Sequence, residues 1–313
     1  MQSKQKKSTS NAPSSVTLRR LARFSVAIAT PFDDLDRIEW KTYTTHARDL
    51  LDAGATSVTL FGTTGEGASV TMAERREALV RLSDAGISAD LTVMTARGLA
   101  AEDIAEDCRY ALEAGCGAVL LAPPVTVAGL DPVGVVNWYR SVFKHIGEGA
   151  RDVILYNIPS VTGVTVTPDV VSNLRGEFPE LVAGVKDSSG DWDYHHRLLS
   201  EHSDIAILQS HEPYLARAVN LGAAGTISGL ANFQPALVAN IARGCDDERV
   251  VNLVKLVLSG PPVPILNDLT AHVSGNEAWS RVRAPLVRLS PPSQKKLRAA
   301  YDALFSEETL KDL

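Results

Sequence analysis

Eight short runs of apolar, β-forming residues punctuate this chain at intervals of about 20–35 residues, and each is followed by a stretch with helical periodicity. The runs cover residues 24–30, 57–61, 91–96, 118–121, 153–156, 182–186, 205–208 and 225–228. Between them, Val135, Trp138, Tyr139, Val142 and Phe143 recur at the spacing of one helix face. Trp40, Tyr43, Ala47, Leu50 and Leu51 do the same, and Leu215, Ala218 and Val219 form a shorter stripe. Strands that alternate with helices in this way build a parallel sheet with the helices outside. Eight repeats is the count that closes an α/β chain into a (β/α)8 TIM barrel. The competing architecture is an open doubly wound sheet, but its nucleotide-binding signature is missing. Gly62-Thr-Thr-Gly65-Glu-Gly67 has the wrong order for GxGxxG, and no Walker lysine follows it.

The repeats end near Arg243, so residues 18–243 are expected to form the barrel catalytic domain. From 244 to 313 only helical periodicity remains, broken at Pro261-Pro262, Pro264 and Pro291-Pro292, which implies a C-terminal helical bundle of about three helices. Residues 1–17 are expected to be a disordered tail, because Met1 to Ser15 is rich in Ser, Lys and Gln and nearly free of apolar side chains. No acidic residue precedes Asp33, and Arg19, Arg20 and Arg23 follow the tail, so an organelle-targeting peptide is the alternative to a plain tail. A formal net charge of −6 gives no electrostatic reason to expect nucleic acid or an acidic membrane as partner. No apolar stretch approaches the roughly 20 residues of a membrane span. Cys108, Cys116 and Cys245 have neither zinc spacing nor an even count, and a reduced, cytoplasmic protein is the simple expectation.

Where the chemistry sits follows from the barrel, whose active sites lie at the C-terminal ends of the strands. Lys186 ends the sixth run, Leu181-Val-Ala-Gly-Val-Lys186, and is the sole lysine between Lys144 and Lys255. Burying an ammonium costs several kcal/mol unless it is paired or neutralised. An amine with a depressed pKa at such a place is suited to forming a Schiff base with a keto acid; a lysine whose head reaches water at the strand's exit is the plainer alternative. Tyr156, ending the fifth run, is placed to move protons to and from a carbinolamine. After the second run, Gly62-Thr63-Thr64-Gly65 suits a tight turn offering backbone N–H groups and two hydroxyls to a carboxylate. The eighth run ends at Ile227, Ser228 and Gly229, where glycine lets backbone approach a ligand closely.

With these residues placed, the chain resembles the dihydrodipicolinate synthase/N-acetylneuraminate lyase family over residues 23–304. The matching segments are Thr30-Pro31-Phe32, Gly62-Thr-Thr-Gly-Glu66, Tyr156-Asn-Ile-Pro159, Gly184-Val-Lys186, Gly225-Thr-Ile-Ser228 and Trp279-Ser-Arg-Val-Arg-Ala-Pro-Leu286. The resemblance implies a homotetramer of barrels and pyruvate chemistry through a covalent imine on Lys186, with no cofactor and no metal. It implies Tyr156 as acid/base, Thr63 as a proton-relay hydroxyl, and Thr64 and the Ile227 carbonyl as groups holding the keto-acid carboxylate.

Two departures narrow the activity. The tyrosine that a synthase of this family sends into its neighbour's relay falls here on Val125. The arginine expected two residues after Tyr-x-x-Pro, which grips the aldehyde's carboxylate, is Val161. Losing such a charge-assisted contact costs about 1.5–3 kcal/mol. Ser210, His211 and Glu212 end the seventh run, where sugar-acid aldolases of the family touch substrate hydroxyls; an outward pair capping the next helix is the alternative. The expected activity is therefore that of a pyruvate-dependent class I aldolase-type lyase, making or cleaving a C–C bond on a 2-keto-3-deoxy sugar acid or related 2-oxo acid. A divergent dihydrodipicolinate synthase and a non-catalytic keto-acid-binding protein are the rivals, and a dehydratase using the same imine stays open. Asp193, His195, His196, Glu201 and His202 do not form HExxH and read as a solvated helix.

Overall fold

The computed structural model describes residues 14–125 and 129–306. Eight strands, β1 (Ser25–Ala27), β2 (Ser57–Leu60), β3 (Thr92–Ala96), β4 (Ala118–Leu121), β5 (Val153–Asn157), β6 (Val182–Asp187), β7 (Ala206–Gln209) and β8 (Ile227–Ser228), lie side by side in parallel. Neighbours in sequence are neighbours in space, and Ser25 pairs with Ile227 to bring the last strand beside the first. Closure from β7 to β8 is completed by Ala224 N donating to the Ile207 carbonyl at 2.8 Å and Gln209 N to the Gly225 carbonyl at 3.0 Å. The expected (β/α)8 barrel is what forms.

Among the described residues thirteen α-helices accompany the strands. α1 (Ser14–Leu21) precedes β1. α2 (Trp40–Asp52), α3 (Met72–Asp84), α4 (Ala101–Glu113) and α5 (Pro132–Ile146) follow β1 to β4 in turn. A single turn, α6 (Pro159–Thr162), and α7 (Pro168–Glu177) follow β5. α8 (Trp192–Glu201), α9 (Leu215–Asn220) and α10 (Pro235–Ile241) follow β6 to β8. The last three, α11 (Arg249–Val257), α12 (Pro262–Ser274) and α13 (Pro291–Leu304), are the C-terminal helices expected from the proline-punctuated tail. Strands buried on both faces explain the unbroken apolar runs: Val58 and Leu60 of β2, for example, pack outward among helix residues such as Tyr43 and Leu79.

The expectation of a tail to residue 17 is corrected at its end. Residues 14–17 already belong to α1; residues 1–13 lie outside the described residues. Leu18, Leu21 and Ala22 are buried with Val93, Ala118, Ile154, Ala183 and Ala206 in the barrel interior, so α1 seals the N-terminal end of the strands. Two edges also differ from the expected runs. β1 stops at Ala27 because Ala29 N donates to the Asn232 side chain at 2.9 Å instead of a neighbouring strand. β8 starts only at Ile227 because Gly225 takes φ +149° under the Ala22 and Arg23 carbonyls, where a Cβ would sit 2.3–2.4 Å from oxygen.

Among the described residues no single helix is long and apolar enough to cross a membrane. α11 and α12, which reach that length together, are bent by 119°.

Candidate active site at the C-terminal end of the barrel

Parallel pairing of β5 with β6 sets Tyr156 opposite Lys186. Both are buried, and the Lys186 Nζ donates to the Tyr156 hydroxyl at 3.2 Å while lying 4.3 Å from its ring centroid. Burial pushes the Tyr156 phenol up. The charge of Lys186, with hydrogen bonds from Thr63, Lys186 and Ser188, outweighs that and holds the phenol below its ordinary value. Lys186 is therefore buried beside the tyrosine, and its head does not reach water at the strand's exit.

Behind this pair the strand ends are fixed by a buried network. Asp187 accepts from Asn157 Nδ2 at 3.0 Å and from Ser189 N at 2.9 Å, and Asn157 Oδ1 accepts from Val166 N at 3.0 Å. His195 of α8 reaches the other Asp187 oxygen at 3.2 Å. His195 and His202 are both buried, which corrects the reading of this segment as a solvated helix. Their face turns inward because Asp187 offers His195 a carboxylate and Pro168 and Ser172 offer His202 partners. Among the described residues no cluster of ligating side chains suits a metal ion.

The Gly62-Thr63-Thr64-Gly65 segment forms the expected turn. Gly67 N donates to the Gly62 carbonyl at 3.0 Å and Glu66 N to the Thr63 carbonyl at 3.2 Å. Phe61 and Glu66 adopt left-handed backbone at φ 55° and 53°, an unusual conformation for bulky residues that the surrounding structure must hold. Thr30 Oγ1 clasps the Gly65 carbonyl at 2.8 Å, and Arg75 donates to the Gly67 and Thr95 carbonyls. Glu66 is buried where Asn267 Nδ2 and Arg283 N reach its two oxygens at 3.1 and 2.9 Å. Burial raises it from the ordinary 4.5 to about 7 against the lowering pull of those contacts. A Cβ on Gly229 would lie 2.8 Å from Thr64 Oγ1, so a larger residue there would make the threonine hydroxyl shift.

These elements surround one cavity of about 390 Å³. Thr63, Thr64, Tyr156, Lys186, Ser210, Glu212, Ile227 and Gly229 all line it, together with His211. Gly62, also singled out from sequence, does not line the cavity and stands behind the wall, where it shapes the turn. Glu212 is not an outward helix cap: it is buried, accepts from Ser228 Oγ at 2.6 Å, and burial pushes its carboxyl up. His211 is half-buried against Tyr214, with ring centroids 4.9 Å apart, and burial lowers its pKa. Val125 stands half-buried at the end of the described part of its loop; residues 126–128 lie outside the described residues.

Two contributions escaped the sequence. Val254, Val257, Leu258, Val263 and Leu266, from α11, α12 and the segment joining them, roof the cavity with apolar surface. Arg97, just past the end of β3, lines a narrow slot beside Tyr156. Applying the strand-end rule to the third run would have found Arg97.

The comparisons agree with this architecture. A family model described as the dihydrodipicolinate synthetase family matches residues 20–304. A protein named an uncharacterised DapA-like lyase from Chloroflexus aurantiacus is 30% identical over 298 residues, covering 90% of this chain and 97% of its own. The crystal structure of dihydrodipicolinate synthase from Agrobacterium tumefaciens superposes with a TM-score of 0.89 at 44% identity, over 90% of this chain and 99% of that one. A 2-keto-3-deoxygluconate aldolase variant of Sulfolobus solfataricus, at 16% identity and TM-score 0.78 over 92% of this chain and 98% of that one, shares the fold. The chain belongs to the dihydrodipicolinate synthetase family and is an aldolase-type lyase.

Proposed function

We propose that this lyase works through a Schiff base between Lys186 and pyruvate or another 2-oxo acid, and that its full substrate is a 2-keto-3-deoxy sugar acid or a related 2-oxo acid. The observation that carries the reading is the buried Lys186–Tyr156 contact at 3.2 Å inside a cavity that also holds the Thr63-Thr64 turn. The Lys186 amine adds to the keto carbon, and loss of water leaves an iminium. Tyr156, with Thr63 as the next hydroxyl, takes and returns the protons that these steps require. Thr64 and the Ile227 carbonyl flank the keto acid's carboxylate end. The iminium draws electrons from the adjacent carbon: in cleavage the C3–C4 bond breaks as the C4 hydroxyl loses its proton, and in synthesis the enamine carbon attacks the aldehyde. Ser210, His211 and Glu212 support a hydroxylated partner, because they put hydrogen-bonding groups along the far wall. A homotetramer is the assembly we expect from the family resemblance, and size-exclusion chromatography with light scattering checks it.

The deciding experiment is reduction with borohydride in the presence of pyruvate and of a panel of 2-keto-3-deoxy acids. The expected result is a covalent adduct mapped to Lys186 and absent from Lys186→Ala. Folded protein that gives no adduct with any of these acids would overturn the reading.

A further inference from the structure

The cavity around Lys186 has two unlike walls. One carries Ser188, Ser189, Ser210, His211 and Glu212, just past the ends of β6 and β7. The other is aliphatic: Val254, Val257 and Leu258 come from α11 and its end, and Pro262, Val263 and Leu266 from α12. The two walls meet, because α11 packs on the Glu212–Tyr214 turn. Val254, Val257 and Leu266 belong to the hydrophobic core and still reach the cavity, so the aliphatic wall is backed by packed side chains. At its inner edge Leu266 Cδ1 lies 3.4 Å from where a Gly229 Cβ would be, beside Thr64. Toward solvent, Leu258 is 59% exposed and Val161, which lines the same cavity, is 44% exposed. Aliphatic surface left in water inside a polar site is surface that an apolar ligand group would cover with gain.

The charges of the cavity point the same way. Among the described residues no arginine lines it, and Lys186 is its one lysine. Arg97 opens on the narrow slot beside Tyr156 instead. Lys186 is taken by the imine. Burial pushes the Glu212 carboxyl toward its neutral form and disfavours the His211 cation. A charged group on the partner would be desolvated there without a counter-charge.

We infer that the aldehyde partner is uncharged and amphipathic, with hydroxyls along the Ser210–Glu212 wall and an alkyl end under the wall of α11 and α12. The inference rests on the proposed imine at Lys186 and narrows its substrate to keto acids whose far end is deoxygenated.

The test compares wild type with Val257→Thr, which exchanges a methyl for a hydroxyl, and with Leu258→Ser, at an exposed position. Borohydride trapping of pyruvate is run first on all three: it judges the imine reading alone and shows that the variants keep a competent Lys186. The wall is read from kcat/KM for 4-deoxyerythrose divided by that for erythrose, two tetroses that differ in the terminal hydroxyl. Wild type should favour the deoxy aldehyde roughly tenfold to hundredfold. Each variant should lower that ratio about three- to tenfold, and the double variant more. Butanal should also outrun succinic semialdehyde, its analogue with a terminal carboxylate. A wild type without preference for the deoxy aldehyde, or one that prefers succinic semialdehyde to butanal, overturns the inference. A ratio unchanged in both variants does the same. Calorimetric titration with hexanoate and 6-hydroxyhexanoate needs no turnover, and decides the case if wild type traps no pyruvate or turns over no aldehyde. Tighter binding of hexanoate, moved toward parity in Val257→Thr, upholds the wall; equal affinities, or binding of neither, overturn it.

Discussion

At the N-terminal end of the strands, Leu18 and Leu21 of α1 fill the barrel mouth among Ala118, Ile154 and Ala183. At the C-terminal end, Lys186, Tyr156, Glu212 and Glu66 are buried, and Phe61 and Glu66 hold left-handed backbone. The same eight strands therefore end in a dry plug on one side and in desolvated polar groups on the other. Burial stabilises the first directly. At the second, burial is a cost that Ser228, Asn267 and Arg283 only partly offset, since both glutamates remain shifted toward their neutral forms. The plug and the candidate site thus lie at opposite ends of one sheet.

That division can be broken by substitutions at either end. The largest effect is expected for Tyr156→Phe, which keeps the ring under the Lys186 Nζ and removes the hydroxyl. Steady-state kinetics should show kcat falling roughly 10²–10⁴-fold, the usual worth of positioned acid–base catalysis. A Phe variant with near-normal kcat would mean that the polar end does not work as described. At the plug, Leu18→Ala should lower unfolding free energy by about 2–5 kcal/mol in denaturant titration. Pyruvate trapping at Lys186 should persist under native conditions. Loss of trapping with an unchanged denaturation midpoint would show that the two ends are not separable.

The smallest effect concerns Glu66 and sharpens the comparison through pH. Its folded pKa, about 7, lies above the ordinary 4.5, so the folded chain holds a proton that the unfolded chain has already released between those values. Stability from this group is therefore fully present below about 4.5, declines as pH rises across the window, and is lost above about 7. At about 1.4 kcal/mol per unit the decline amounts to roughly 3 kcal/mol at most. Glu66→Gln should flatten that slope in denaturation curves taken from pH 4.5 to 7. An unchanged slope would remove Glu66 as its source.

Much of this was legible in the chain. The eight runs give the barrel, because strands covered on both faces need continuous apolar sequence, and a lysine ending such a run marks itself. Lys186 and Tyr156 are adjacent because β5 and β6 pair in register, which strand order in a barrel guarantees. What stayed hidden depends on tertiary approach. Arg97 follows an ordinary run and carries no motif. His195 looks like any polar residue of an amphipathic helix until Asp187 is placed beneath it. The apolar roof comes from helices more than sixty residues beyond Lys186, and no local pattern says where they dock. The α1 plug was obscured by the polar segment before it.

The plug also sets an order of events during synthesis. Arg19 of α1 donates to the carbonyls of Ser203 and Ile205, at 2.7 Å each, across 184 and 186 residues of chain. A chain emerging from its N-terminus exposes Leu18 and Leu21 long before β7 exists to receive them. Their helix is made first and seated late, and until the seventh strand arrives its apolar face must be kept from other partners. The stretch that finally locks the barrel is thus synthesised well before the strands that receive it.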